Sequence, residues 1–174
     1  MLATIIITVD TDKMVNFFNK DISYGQRNRP YKADCFCQIT HENVTNSGIP
    51  YVFMLKEDTI YKFQLLNTTG SINQIVPDTA TFNLSMIKTN IPNEDDWRKI
   101  IDLDYNQPNT GINGSLIYNI EDGKSGNYFF SIKTQPHFKS NYNLQYHITF
   151  QIMVKGQIML SEIDPLIANY SDDE

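Results

Sequence analysis

Hydrophobic and polar positions alternate with a period of two through much of this chain. From Gln145 to Val154, QYHITFQIMV places Tyr146, Ile148, Phe150, Ile152 and Val154 on one face and His147, Thr149, Gln151 and Met153 on the other, the pattern of a half-buried β-strand. After a Lys155-Gly156 turn, QIMLSEIDPLIANY predicts a second strand, whose proline must sit at an edge or at a break in the ladder. Leu2 to Val9 is apolar and β-branched, a buried opening strand that ends in the polar turn Asp10-Thr11-Asp12-Lys13. Ala33 to Thr40 sets Cys35, Cys37 and Ile39 against Phe36 and Gln38. Tyr51–Leu55 and Thr59–Leu66 flank Lys56-Glu57-Asp58 as a hairpin, with Tyr61, Phe63 and Leu65 inward. Thr81 to Ile87 turns Phe82, Leu84 and Met86 inward. Leu116–Ile120 and Asn127–Thr134 surround a reversing turn rich in Gly and Asp.

Between these segments the alternation stops. Asn16 to Tyr31 reads as a long connection, Asn43 to Pro50 as a turn, and Asn67 to Asp78 and Tyr105 to Ser115 as loops. One stretch changes period: Asn93 can N-cap a helix, Glu94, Asp95 and Asp96 suit its positive end, and Trp97, Ile100 and Ile101 share a face. The expected fold is therefore all-β, an antiparallel β-sandwich of jelly-roll type with one short helix near 94–102; an up-and-down barrel is the alternative. The 174 residues fit one domain, 1–174, ending in a short acidic tail at 171–174; a chain of this length buries roughly 70% of its unfolded surface.

Composition narrows the function. Apolar residues make up 41% and charged residues 20%, and Asn, a turn former, is abundant. The net charge of −6 argues against nucleic-acid binding, which needs clustered Lys and Arg. The basic residues Arg27, Arg29 and Lys32 read as a solvated connection, with an anion contact as the other reading. The Leu2–Val9 stretch is too short for a secretory core or a membrane span, so a cytoplasmic location without membrane contact is expected. Cys35 and Cys37, at i and i+2 on a strand, read as buried thiols.

No catalytic motif occurs in the sequence, so no catalytic residue is assigned and the chain is expected not to be an enzyme. Asp102-Leu103-Asp104-Tyr105-Asn106 has the D-x-D-x-N spacing of the first calcium ligands in an EF-hand, but Gln107 and Asn113 stand where Gly and Glu are needed. That leaves Asp102 and Asp104 either as metal ligands of a non-EF calcium site or, more plainly, as a helix end and turn; no other cofactor is indicated. Asp10 and Asp12 form a second D-x-D pair able to hold a cation or a sugar hydroxyl. With Tyr105, Asn106 and Asn109 they make the candidate ligand set, and loop aromatics such as Tyr24, Phe138 and Tyr142 could stack on a sugar ring.

Both ends of the chain resemble the AidA/PixA inclusion-body protein family. The opening TIIITVDTDKMV, with Val9, Asp10, Thr11 and Asp12, is similar to that family's first strand and V-D-[TA]-[DE] turn. The close, YHITFQIMVKGQIMLSEIDPLI, with Asp164, Pro165 and Ile167, is similar to its final strand pair and D-P-x-I element. The resemblance implies an abundant bacterial cytoplasmic protein, often quorum- or phase-regulated and sometimes packed into inclusions, with no established enzymatic activity and no catalytic residues to carry over. The expected function is self-association into dimers or ordered inclusions, with edge strands as a template for pairing. The alternative is a carbohydrate-binding, lectin-like module, with glycans as the partner.

Overall fold

The computed structural model describes residues 1–20, 31–41, 44–47, 55–68, 75–85, 91–123, 127–137, 143–163 and 166–167. In chain order these form β1 (Leu2–Val9), α1 (Thr11–Lys20), β2 (Tyr31–Lys32), β3 (Cys37–His41), β4 (Val44–Ser47), β5 (Ile60–Asn67), β6 (Ile75–Ser85), α2 (Glu94–Arg98), β7 (Asn109–Thr110), β8 (Leu116–Asn119), β9 (Glu121–Gly123), β10 (Asn127–Lys133), β11 (Asn143–Val154), β12 (Gln157–Ile163) and β13 (Leu166–Ile167). The strands make a β-sandwich. The first sheet runs β4-β3-β1-β5-β10-β9 and the second β2-β12-β11-β6-β8-β7, with β13 also paired to β11.

On β5 and β11 the inward positions are those the alternation predicts, and β1, read as a continuous apolar run, also buries every second residue from Ile5 on. In the first sheet Ile5, Ile7 and Val9 of β1 lie beside Tyr61, Phe63 and Leu65 of β5, all buried. In the second, Tyr146, Ile148, Phe150, Ile152 and Val154 of β11 are at most 1% exposed. The two layers meet through aromatic rings. Phe63 stacks on its neighbour Phe130 at 4.7 Å and makes edge contacts across the sandwich with Tyr146 at 5.2 Å and Phe82 at 5.8 Å, separations at which ring quadrupoles attract.

Most pairings are antiparallel, but β1 runs parallel to β5 and β2 parallel to β12. The parallel β1–β5 contact replaces the expected 51–66 hairpin: β5 pairs with β1 and β10, while residues 51–54 lie outside the described set. The expected reversal between Leu116–Ile120 and Asn127–Thr134 is also redistributed. β8 joins the second sheet beside β6, and the hairpin partner of β10 is β9. Alternation marks an inward face but carries no information about which sheet supplies it.

Several segments read as irregular contain regular structure, among them Asn109–Thr110 (β7) and Glu121–Gly123 (β9). Val44–Ser47 is a strand paired with β3, and β6 begins at Ile75. Pro77 hid the latter; it sits where the β6–β11 register shifts between Ile148 and Phe150, a bulge that tolerates the missing N–H. The largest departure is α1, in place of the expected turn and connection. Asp10 caps it, accepting the Lys13 N–H at 3.1 Å, and Thr11, Met14 and Phe18 form its buried stripe. Residues 21–30, including Arg27 and Arg29, lie outside the described set.

Cys35 also departs from expectation. Asp34–Phe36 is a 3-10 turn rather than strand, which exposes Cys35, while Cys37 is buried and directs its thiol at the Ala33 carbonyl, 3.2 Å away. At the C-terminus, Asp164 and Pro165 are outside the described residues. The ladder resumes beyond them, with Leu166 opposite Gln145 in the same register that pairs Ile163 with Ile148. Met86 and the 171–174 tail lie outside the described residues too.

Candidate functional site

The loop from Asp102 to Pro108 is built outward from α2. Asn93 and Asp96 form a reciprocal capping box, with bonds of 3.0 and 3.2 Å. Trp97, fully buried, donates its indole N–H to the Gly114 carbonyl at 2.6 Å. Gly114 has φ +74°, and a Cβ there would collide with the Pro92 carbonyl oxygen, so this crossing requires glycine. Beyond α2, the Asp102 N–H donates to the Lys133 carbonyl at 2.8 Å, and Ile101 bridges Thr134, which fastens the loop to β10.

Asp102 and Asp104 are each engaged by a cationic side chain. Lys133 Nζ lies 3.1 Å from Asp102, and Arg98 lies 3.5 Å from Asp104. Asp102 also accepts the Asp104 N–H at 3.2 Å, so the D-x-D spacing here builds an Asx-type turn. No group of three or more His, Cys, Asp or Glu that could hold a metal ion occurs among the described residues.

Next, Asn106 and Gln107 adopt left-handed φ of +58° and +32°, a conformation uncommon outside glycine. Asn106 is held there by its Nδ2, which donates to the Ser131 carbonyl at 3.0 Å. The bend leaves a recess of about 270 Å³ between this loop, β8 and β10, with Asn109, Asn119, Glu121 and Tyr118 in its wall. Tyr118 is 3% exposed and its hydroxyl has no hydrogen-bond partner among the described residues, an arrangement that costs about 1–3 kcal/mol. Burial first, and then the negative charge of Asp102, pushes its phenol well above the ordinary tyrosine range.

The candidate ligand set is thus divided. Asn106 and Asn109 share this recess, whereas half-buried Tyr105 does not line it. Asp10 is committed to capping α1 and to Lys13, 2.9 Å away, and lines a separate recess of about 220 Å³ with Cys35. Burial pushes the Asp10 carboxyl up, but the hydrogen bonds and charge of Lys13 outweigh it and hold the group below the ordinary range. Asp12 is exposed on the first turn of α1. Tyr24, Phe138 and Tyr142 lie outside the described residues. Sequence reasoning missed Tyr118, Asn119 and Glu121. The available signal was Tyr118 itself, a polar-tipped ring at an inward position of β8, where its hydroxyl needs a partner.

No helix among the described residues is long and apolar enough to cross a membrane. No family model matches the chain, and no curated protein matches it. Among solved structures it is similar to a laccase from Botrytis aclada at 12% identity, over 98% of this chain and 29% of the laccase, with a TM-score of 0.30. The chain spans under a third of the laccase, and a likeness at that score carries no argument about activity.

Proposed function

We propose that this chain is a non-catalytic protein that self-associates in the cytoplasm, as dimers or ordered inclusions, through the outer face of its second sheet. The observation that carries this reading is a group of exposed apolar side chains on three adjacent strands. Met153 of β11 stands opposite Ile158 of β12, and Val76 of β6 stands opposite Gln151, the next outward position of β11. They are 55%, 61% and 58% exposed, respectively. Together they present apolar surface on the order of 300 Å², comparable to the largest patch on an ordinary monomer.

The size of the patch sets the kind of association. A standard stable interface buries about 800 Å² on each partner, so a contact centred on this patch is weak singly and grows with concentration. A face also suits the fold better than an edge does. The outermost strands of the described sheets, β4, β9, β2 and β7, have four, three, two and two residues, and short edges are poor templates for strand pairing. The resemblance of both termini to the AidA/PixA family supports the same reading.

Sedimentation velocity over a concentration series tests it. The native chain should sediment faster as concentration rises, and added salt should promote this by screening the net charge of −6. The paired substitution Met153→Lys and Ile158→Lys should hold the protein monomeric throughout. A native chain that stays monomeric at all concentrations, or a variant that associates equally well, overturns the proposal.

A further inference from the structure

Self-association leaves the recess beside Tyr118 without a role. We propose that it is a binding site for a single neutral polyhydroxyl ring, such as a pyranose. At about 270 Å³ it falls just under the roughly 300–1,000 Å³ typical of sites for drug-sized ligands, which leaves room for one ring and not for a chain of them.

The chemistry of the wall selects the ligand. The amides of Asn109 and Asn119 each offer donors and an acceptor, and Glu121 offers acceptors only, a set that matches vicinal hydroxyls, which donate and accept at once. Pro108 and Ile117 add apolar surface for the C–H face of a sugar. The Tyr118 ring backs this wall, but its hydroxyl is sealed from the surface, so it is not a ligand contact. An anion is disfavoured because Glu121 lines the recess and the Asp102 charge reaches Tyr118.

Asn106 has a different part. Its amide is already used on the Ser131 carbonyl, and its left-handed backbone shapes the rim, so it is a positioning residue that holds the mouth of the recess rather than a ligand contact.

The test is titration of the full-length chain with methyl α-D-glucopyranoside, methyl α-D-mannopyranoside and methyl β-D-galactopyranoside, followed by amide chemical shifts. At least one glycoside should move Asn109, Asn119 and Glu121 together and leave the α1 amides unmoved. Asn119→Ala and Glu121→Gln, at exposed positions, should each weaken that binding about two- to tenfold, the loss expected for one hydrogen bond. Neither should unfold the free protein, because both side chains are exposed. Methyl glucuronide should bind more weakly than the glucoside. Absence of shifts with every glycoside, shifts centred elsewhere, or unchanged affinity in both variants would overturn the site.

Discussion

The two helices sit on the same sandwich but are held by different means. α1 has ten residues and follows β1 with a single residue between them; its buried stripe of Thr11, Met14 and Phe18 packs into the core beside β11. α2 has five residues and buries only Trp97 within the helix, with Ile100 and Ile101 buried just after it. Both are shorter than the roughly 12–15 residues at which an isolated helix becomes even marginal. One survives through a continuous apolar face, the other through a capping box and one anchored indole. The difference matters for function because α2 carries the loop that rims the recess, so a local defect there reaches the candidate site.

The largest expected effect comes from removing the anchors. Trp97→Ala should destabilise the fold by about 3–5 kcal/mol and Met14→Ala by about 2–5 kcal/mol, read from urea unfolding midpoints. The comparison is sharpened by the amides of residues 106–109: they should shift strongly in the Trp97 variant and little in the Met14 variant. Equal disturbance of that loop by both would show that α2 has no special hold on it.

Removing the caps should have a smaller effect. Asn93→Ala and Asp10→Ala should each lose about 1 kcal/mol, and the Asn93 loss should be felt more at the recess because the capping box orients the first turn of so short a helix. A null effect at Asn93 would leave Trp97 as the sole support.

The smallest effect is one of pH. The Lys99 side chain and the Asn93 N–H hold the Asp96 carboxyl below its ordinary value, and Lys13 does the same for Asp10 against an opposing effect of burial. A carboxyl depressed in the folded state adds stability that is complete above the unfolded pKa near 3.9 and is lost as pH falls through the lower folded value. The caps' contribution to the melting temperature should therefore be full and constant between pH 7 and about pH 5, with a small decline below about pH 4. Asp96→Asn should reduce the decline. Because both groups are near the surface, solvent screening keeps the change slight.

α2 was legible in the sequence and α1 was not, for a local reason. Asn93, the three acids after it and the spacing of Trp97, Ile100 and Ile101 all point to one helix. At α1 the cap Asp10 follows an eight-residue strand directly, and a polar turn and a helix start look alike where Asp and Thr meet. The recess was half legible. Asn106 and Asn109 were found because loop amides attract notice, whereas Asn119 and Glu121 come from strands that only the folded chain brings alongside.

By itself the sequence determined which residues face inward along β5 and β11, because a period of two commits every second side chain to the core wherever one face is buried. It also determined the α2 cap and the Lys155-Gly156 turn, where both residues take positive φ. Tertiary structure alone decided that β1 lies parallel to β5, that β8 leaves β10 for the opposite sheet, and that Tyr118 ends beside Asn109 and Glu121. Those outcomes depend on contacts between segments far apart in the chain, and an alternating pattern specifies a face without naming its neighbour.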